Sequence, residues 1–123
     1  MYWDTLIRIK NAQDAGKKTV IVPYSKMDFS ILESLVKHKF LKEIKIINNK
    51  KNKKSIEVTL GNRPINEVKF ISKPSRHIYA GYRDIKPVKS GFGKLVVSTS
   101  LGIMTGEEAK KKKVGGEILF EIW

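Results

Sequence analysis

The chain has 123 residues, with 25 lysines and arginines against 12 aspartates and glutamates, a formal charge of +13 and no cysteine. That length suits one compact domain or two small lobes, and the missing thiols exclude disulfides, iron–sulfur clusters and thiolate zinc sites. The charge is even along the chain: 13 bases and 6 acids precede residue 61 and 12 and 6 follow it, so the halves carry +7 and +6. A folded body this charged repels itself unless a polyanion screens it; nucleic acid is the commonest such partner, ahead of an anionic membrane surface. No apolar run approaches the roughly 20 residues of a membrane span. The opening Met1-Tyr2-Trp3-Asp4 has neither a charged nor an apolar leader region, so a secretory signal is not expected and the protein reads as intracellular.

Tyr2, Leu6 and Ile9 recur at helical spacing and Gly16 closes the segment, which predicts a first amphipathic helix. Lys18–Pro23 is a short β-branched run stopped by proline, read as a strand. Ser25-Lys-Met-Asp28 has capping-box spacing, and Met27, Ile31, Leu32, Leu35 and Val36 then mark a second helix. Ile44 and Ile46, then Ile56, Val58 and Leu60, alternate with polar residues around the exposed tip Asn48–Lys54, as in a β-hairpin. Gly61-Asn-Arg-Pro64 breaks both regular patterns and is the expected lobe boundary, dividing residues 1–62 from 63–123. Beyond it, Val68–Ser72, Ile78–Tyr82 and Leu95–Ser98 are strand candidates. Thr105-Gly-Glu-Glu108 is a second capping box opening a short helix Glu107–Lys112, and Ile118, Phe120 and Ile122 alternate in a last strand. The expected fold class is α+β in two small lobes, an N-terminal α-β-α-β-β and a C-terminal lobe that is mainly β with one short helix.

Enzymatic readings find little to stand on. Ser98, Ser100, His77 and Asp84 share a lobe, but no nucleophile-elbow pattern surrounds either serine. His38 and His77 are far apart and the carboxylates show no ligand spacing, so no metal or cofactor is expected. Gly91-Phe-Gly93 lacks the lysine and hydroxyl of a phosphate loop and reads as a turn.

Nucleic-acid readings have more. The lysine runs Lys50–Lys54, which Asn52 interrupts, and Lys110–Lys113 are each either a solvated face or a phosphate contact; with the global charge, at least one is expected on phosphate. Ser98-Thr-Ser100 ends a β-branched strand and meets Gly102. Short hydroxyls can approach the 2′-hydroxyl edge of an RNA minor groove or a bulged base, or they can cap local backbone groups; both readings stand. Tyr79 and Tyr82 lie beside Arg76 and His77, which suits base stacking on an aromatic; the alternative is that one of the two, facing the opposite way, is simply core, and both readings stand.

Ser98-Thr-Ser, Gly102-Ile-Met-Thr105, Glu108-Ala109 and Val114-Gly-Gly-Glu117, with Asp4–Ala12, Val22–Lys26 and Ser72-Lys-Pro74 before them, resemble in order the bacterial-type small ribosomal subunit protein eight family over essentially the whole chain. The resemblance implies two α/β lobes, no catalysis, and direct binding to the central domain of small-subunit 16S-type rRNA, where the family helps assemble the platform. It implies rRNA and neighbouring small-subunit ribosomal proteins as partners, and a ribosomal-protein messenger that mimics the rRNA site as a second RNA ligand. It places the protein in the cytoplasm, within the small subunit, or in an organellar ribosome. Carried over, the RNA-binding residues are Ser98, Thr99, Ser100, Gly102, Tyr79, Gly115, Gly116 and Glu117. Arg76 and Lys111 join them as backbone contacts. The sequence departs from the family at Leu101, where a base is usual, and at Ser75 and His77, where a glycine and an arginine are usual.

Overall fold

A computed structural model of the chain describes residues 2–48, 50, 51, 53–61, 65–73, 75–85 and 93–123. It divides into two compact units, Met1–Ile65 and Asn66–Trp123. Part of the hairpin tip (Asn49, Asn52), of the expected boundary (Asn62–Pro64) and of the glycine turn (Gly91, Phe92) lies outside the described residues.

The first unit runs α1 (Tyr2–Asp14), β1 (Thr19–Pro23), α2 (Lys26–Lys37), β2 (Leu41–Asn48) and β3 (Lys54–Leu60). Helix α1 buries Tyr2, Leu6 and Ile9, the apolar stripe expected from their spacing, and extends it to Ala12. It ends where Gly16 turns to φ 75° while Lys17 N donates to the Ala12 carbonyl and Gly16 N to Gln13, a Schellman closure. Helix α2 ends the same way, except that a lysine, Lys39, takes the left-handed position at φ 67°. Phe40 N donates to the Leu35 carbonyl and its ring is buried. The three strands pair antiparallel in the order β1-β3-β2, with Val22, Ile56 and Val58 fully buried beneath the helices. Gln13 secures the end of the unit by donating to the Ile65 carbonyl and accepting from the Ile65 amide.

Only half of the expected capping box at Ser25 forms. Ser25 Oγ accepts from the Asp28 amide, but the Asp28 carboxylate accepts from the Thr5 hydroxyl on α1 at 3.0 Å. The tertiary bond wins because Asp28 is buried and points at the neighbouring helix.

The second unit contains β4 (Val68–Phe70), β5 (Tyr79–Ala80), a single 3-10 turn (Tyr82–Asp84), β6 (Lys94–Thr99), β7 (Gly102–Thr105), α3 (Gly106–Lys111) and β8 (Gly116–Ile122). Strand β8 is central: β6 flanks one side, and β4 and β5 share the other at opposite ends. Two expectations need correction. The strand predicted over Ile78–Tyr82 shortens to two residues, because the chain turns into the 3-10 bend after Gly81. Gly102–Thr105, read only as a turn and a cap, is a strand, because the two-residue loop Ser100-Leu101 folds it back onto β6.

Helix α3 carries the full capping box: Thr105 Oγ1 accepts from the Glu108 amide, and Glu108 Oε1 from the Thr105 amide. It packs Ala109 onto Val97, Met104, Ile118 and Ile85. Gly106 is its tightest point, where a Cβ would lie 2.7 Å from Ile85 Cγ2. Strand β8 has one more residue than β6 at the centre: Val97 faces Ile118 while Val96 faces Phe120, leaving Leu119 as the extra residue of a bulge. That irregularity accompanies full burial of both neighbouring valines, which strict alternation would send to opposite faces.

Candidate nucleic-acid interface

The expected site residues fall at one end of the second sheet. Tyr79 pairs with Glu117, Glu117 with Ser98, and Ser98 with Ile103, so these four form one lateral row across β5, β8, β6 and β7. Cross-strand partners point to the same face, about 5 Å apart. The face they share lies opposite the Val97–Ile118–Met104 core, and it leaves Tyr79 70% exposed. An aromatic ring, a carboxylate and a hydroxyl are thus set side by side on a rigid sheet. The row can stack a base, accept from a base amino group, and exchange hydrogen bonds with a sugar hydroxyl.

The three hydroxyls of Ser98-Thr-Ser100 divide between the two readings. Thr99 is spent locally: its Oγ1 accepts from the Leu101 amide at 3.1 Å and donates to the Gly102 carbonyl at 2.8 Å. Ser98 and Ser100 make no hydrogen bond to another described side chain, and Ser100 is exposed at the tip of the turn with Leu101. Gly102 takes φ 120°, a conformation L side chains rarely adopt, and so closes the turn.

The glycine pair has a packing role. A Cβ on Gly116 would fall on the Ser98 backbone, with its carbonyl carbon at 2.9 Å and Thr99 Cα at 3.1 Å. One on Gly115 would meet the Ala80 carbonyl oxygen at 2.5 Å and Gly81 Cα at 2.8 Å. Two bare backbones let β8 enter between β5 and β6, which is what sets Glu117 opposite both Tyr79 and Ser98.

Two contributors were not among the expected site residues. His77 Nδ1 lies 2.9 Å from Glu117 Oε2, fixing the carboxylate in the row. Ser72, 2% exposed, donates to the Ile118 carbonyl at 2.6 Å and accepts from the Ile78 amide at 3.0 Å, tying the segment that carries His77 and Tyr79 to β8. The His77–Glu117 and Ser72–Ile118 bonds join residues 40 and 46 apart in sequence, so no local pattern signals them.

The basic residues expected at the site are not in the row. Arg76 is exposed in the Lys73–Arg76 turn, whose end residues exchange two backbone hydrogen bonds. Lys111 is exposed in the last turn of α3, within the Lys110–Lys113 run that leads through Val114 into the glycine pair. Lysines at a helix C-terminus also favour the helix dipole, so part of this run has a structural reason. Lys113 takes φ 55° and closes α3 as Lys39 closes α2. Among the described residues, no group of three His, Asp or Glu side chains is placed to hold a metal, and no helix is long and apolar enough to cross a membrane.

Comparison with known proteins finds relatives over nearly the whole chain. The family model described as Ribosomal protein S8 matches residues 2–123. A small ribosomal subunit protein uS8 from Nautilia profundicola is 43% identical over 98% of this chain and 95% of its own length. Proteins of the same name from Mycoplasmopsis agalactiae and Borreliella burgdorferi are 40% and 38% identical, each over 98% of this chain and 94% of their own. The chain belongs to the ribosomal protein S8 family, a family of ribosomal proteins and not of enzymes.

Proposed function

We propose that the protein is a structural constituent of the small ribosomal subunit, working in the cytoplasm among neighbouring small-subunit proteins. It binds the central domain of 16S-type rRNA directly and helps assemble the platform. The unit from Asn66 to Trp123 is the RNA-binding lobe. The observation that carries this reading is the Tyr79–Glu117–Ser98 row, which sets an exposed aromatic ring beside a half-buried carboxylate and hydroxyl on the sheet of a +13 protein. Ser98 and Ser100 read local RNA shape, Tyr79 stacks, and Glu117, held by His77, accepts from a base. Arg76 and Lys111 hold phosphates, which adds affinity and salt dependence without sequence information. Thr99, Gly102, Gly115 and Gly116 act through the backbone geometry they allow. A messenger folded like the rRNA site would meet the same row, and repression of its translation follows as part of this proposal.

The test is binding of the purified chain to a short central-domain rRNA hairpin, with a scrambled hairpin as competitor and salt varied. Binding that survives the competitor supports specific recognition. Binding lost equally to both RNAs as salt rises would reduce the protein to a nonspecific polycation and overturn the proposal.

A further inference from the structure

We propose that the first unit carries a second, base-reading RNA contact, a groove that takes one unpaired guanosine nucleotide. The inference rests on the RNA-binding role proposed above but concerns different residues. The groove lies between α1 and the β1–α2 segment and has a volume of about 710 Å³, within the usual range for small-molecule sites. In a unit with a large positive excess its charges balance, Asp4 and Asp28 against Arg8 and Lys17. The two bases have no carboxylate partner among the described residues. Asp28 lines the groove although it is only 6% exposed. Its Oδ2 accepts from Thr5, itself 5% exposed, while Oδ1 receives no hydrogen bond from a described residue. Ile7, 48% exposed and outside the core, joins Pro23 in the apolar part of the lining.

A phosphate or sugar alone does not match these groups. A phosphodiester has acceptors only, so it suits Arg8 and Lys17 and is repelled by Asp28. A nucleotide has both halves: phosphate for the bases, a flat apolar face for Ile7 and Pro23, and a hydrogen-bonding edge for the carboxylate. Among the four bases, guanine presents two adjacent donors, N1–H and N2–H, on one edge, which matches a carboxylate with two acceptor oxygens. Adenine and cytosine offer an amino donor next to a ring acceptor, and uracil a single donor between two acceptors. The Thr5 hydroxyl holds the carboxylate in place and takes only one of its acceptor sites, since each oxygen can accept more than once.

The test uses the full isotope-labelled chain, titrated separately with 5′-GMP, 5′-AMP, inorganic phosphate and a short arginine-rich peptide. Backbone amide shifts are read in both units. The expected result is saturable shifts at Thr5, Arg8 and Asp28 with GMP, with AMP about 10-fold weaker and inorganic phosphate affecting only the Arg8 and Lys17 region. Asp28→Asn, which replaces an acceptor with a donor, should weaken GMP about 10-fold and remove the preference over AMP. Should that variant fail to fold, Arg8→Ala, at an exposed position, should weaken both nucleotides several-fold and keep the preference. Equal responses to GMP and AMP, or no response in the first unit, overturn the inference. Shifts with the peptide and not with GMP overturn it too, and give the groove to a basic segment of a protein neighbour. The central-domain hairpin still shifting Ser98 and Glu117 in the same sample would show that the groove proposal fails alone.

Discussion

Replacing Gly116 by alanine should unfold the second unit far more readily than any other single-methyl addition in its sheet. The new Cβ would fall on the Ser98 carbonyl, 2.9 Å from its carbon and 3.1 Å from Thr99 Cα. Both obstacles are backbone in the middle strand pair, so no side chain can rotate away. Strand β8 must withdraw from β6 by roughly 1 Å, which lengthens the ladder bonds around Thr99–Gly116 and Ser98–Glu117. Overpacking of this kind costs about 1–3 kcal/mol, and two weakened hydrogen bonds add about 1 kcal/mol each. A total of about 3–5 kcal/mol is a large part of the stability of a small unit. The assay is urea and thermal denaturation, with Gly81→Ala as an internal control. The nearest atom to a Cβ at Gly81 is Asp84 Oδ2 at 3.8 Å, and its φ is negative, so the control should change stability by less than about 0.5 kcal/mol. A Gly116 variant as stable as the control would refute the close-approach argument.

Four further outcomes follow from the same geometry. Ser98→Ala should leave stability within about 0.5 kcal/mol, because its hydroxyl is not used internally, yet cost about 1–3 kcal/mol of affinity for the rRNA hairpin; unchanged affinity removes Ser98 from the interface. Lys111→Ala should weaken binding to cognate and scrambled RNA alike and lower the salt slope by about 1; a loss confined to the cognate RNA contradicts a phosphate role. Lys113→Gly should raise stability by about 0.5–1 kcal/mol in the same denaturation assay, since glycine takes φ 55° without the steric cost a lysine incurs. Ser34→Ala should stabilise α2 by about 0.5–1 kcal/mol, because the Ser34 hydroxyl is buried without a hydrogen-bond partner among the described residues; a loss of stability on melting would mean that oxygen has a partner.

The helices were readable because their determinants are local. Apolar spacing marked α1 and α2, Gly16 marked a stop, and Thr105 with Glu108 marked the start of α3. The capping box at Ser25 was half misread, since its aspartate bonds to Thr5, 23 residues away, and local spacing cannot weigh a tertiary competitor. The sheet of the second unit was less legible. β7 is short and begins at a glycine, so it looked like the end of a turn, and β5 needs β8 as a partner to exist at all. The hydroxyl triplet and glycine pair stood out in the sequence, but their division of labour did not. That Thr99 serves the turn while Ser98 faces outward, and that Gly116 gives room to Ser98, depends on strand register. The register in turn includes a bulge at Leu119 that no run of alternating residues would suggest.

The most direct test of the RNA-binding row is to map backbone amide shifts across the full chain on adding the central-domain hairpin. The row predicts the largest changes at Tyr79, Glu117 and Ser98 through Gly102, persisting when a scrambled hairpin is present in excess. Changes confined to the lysines at Lys50–Lys54 and Lys110–Lys113, and abolished by the scrambled RNA, would contradict it.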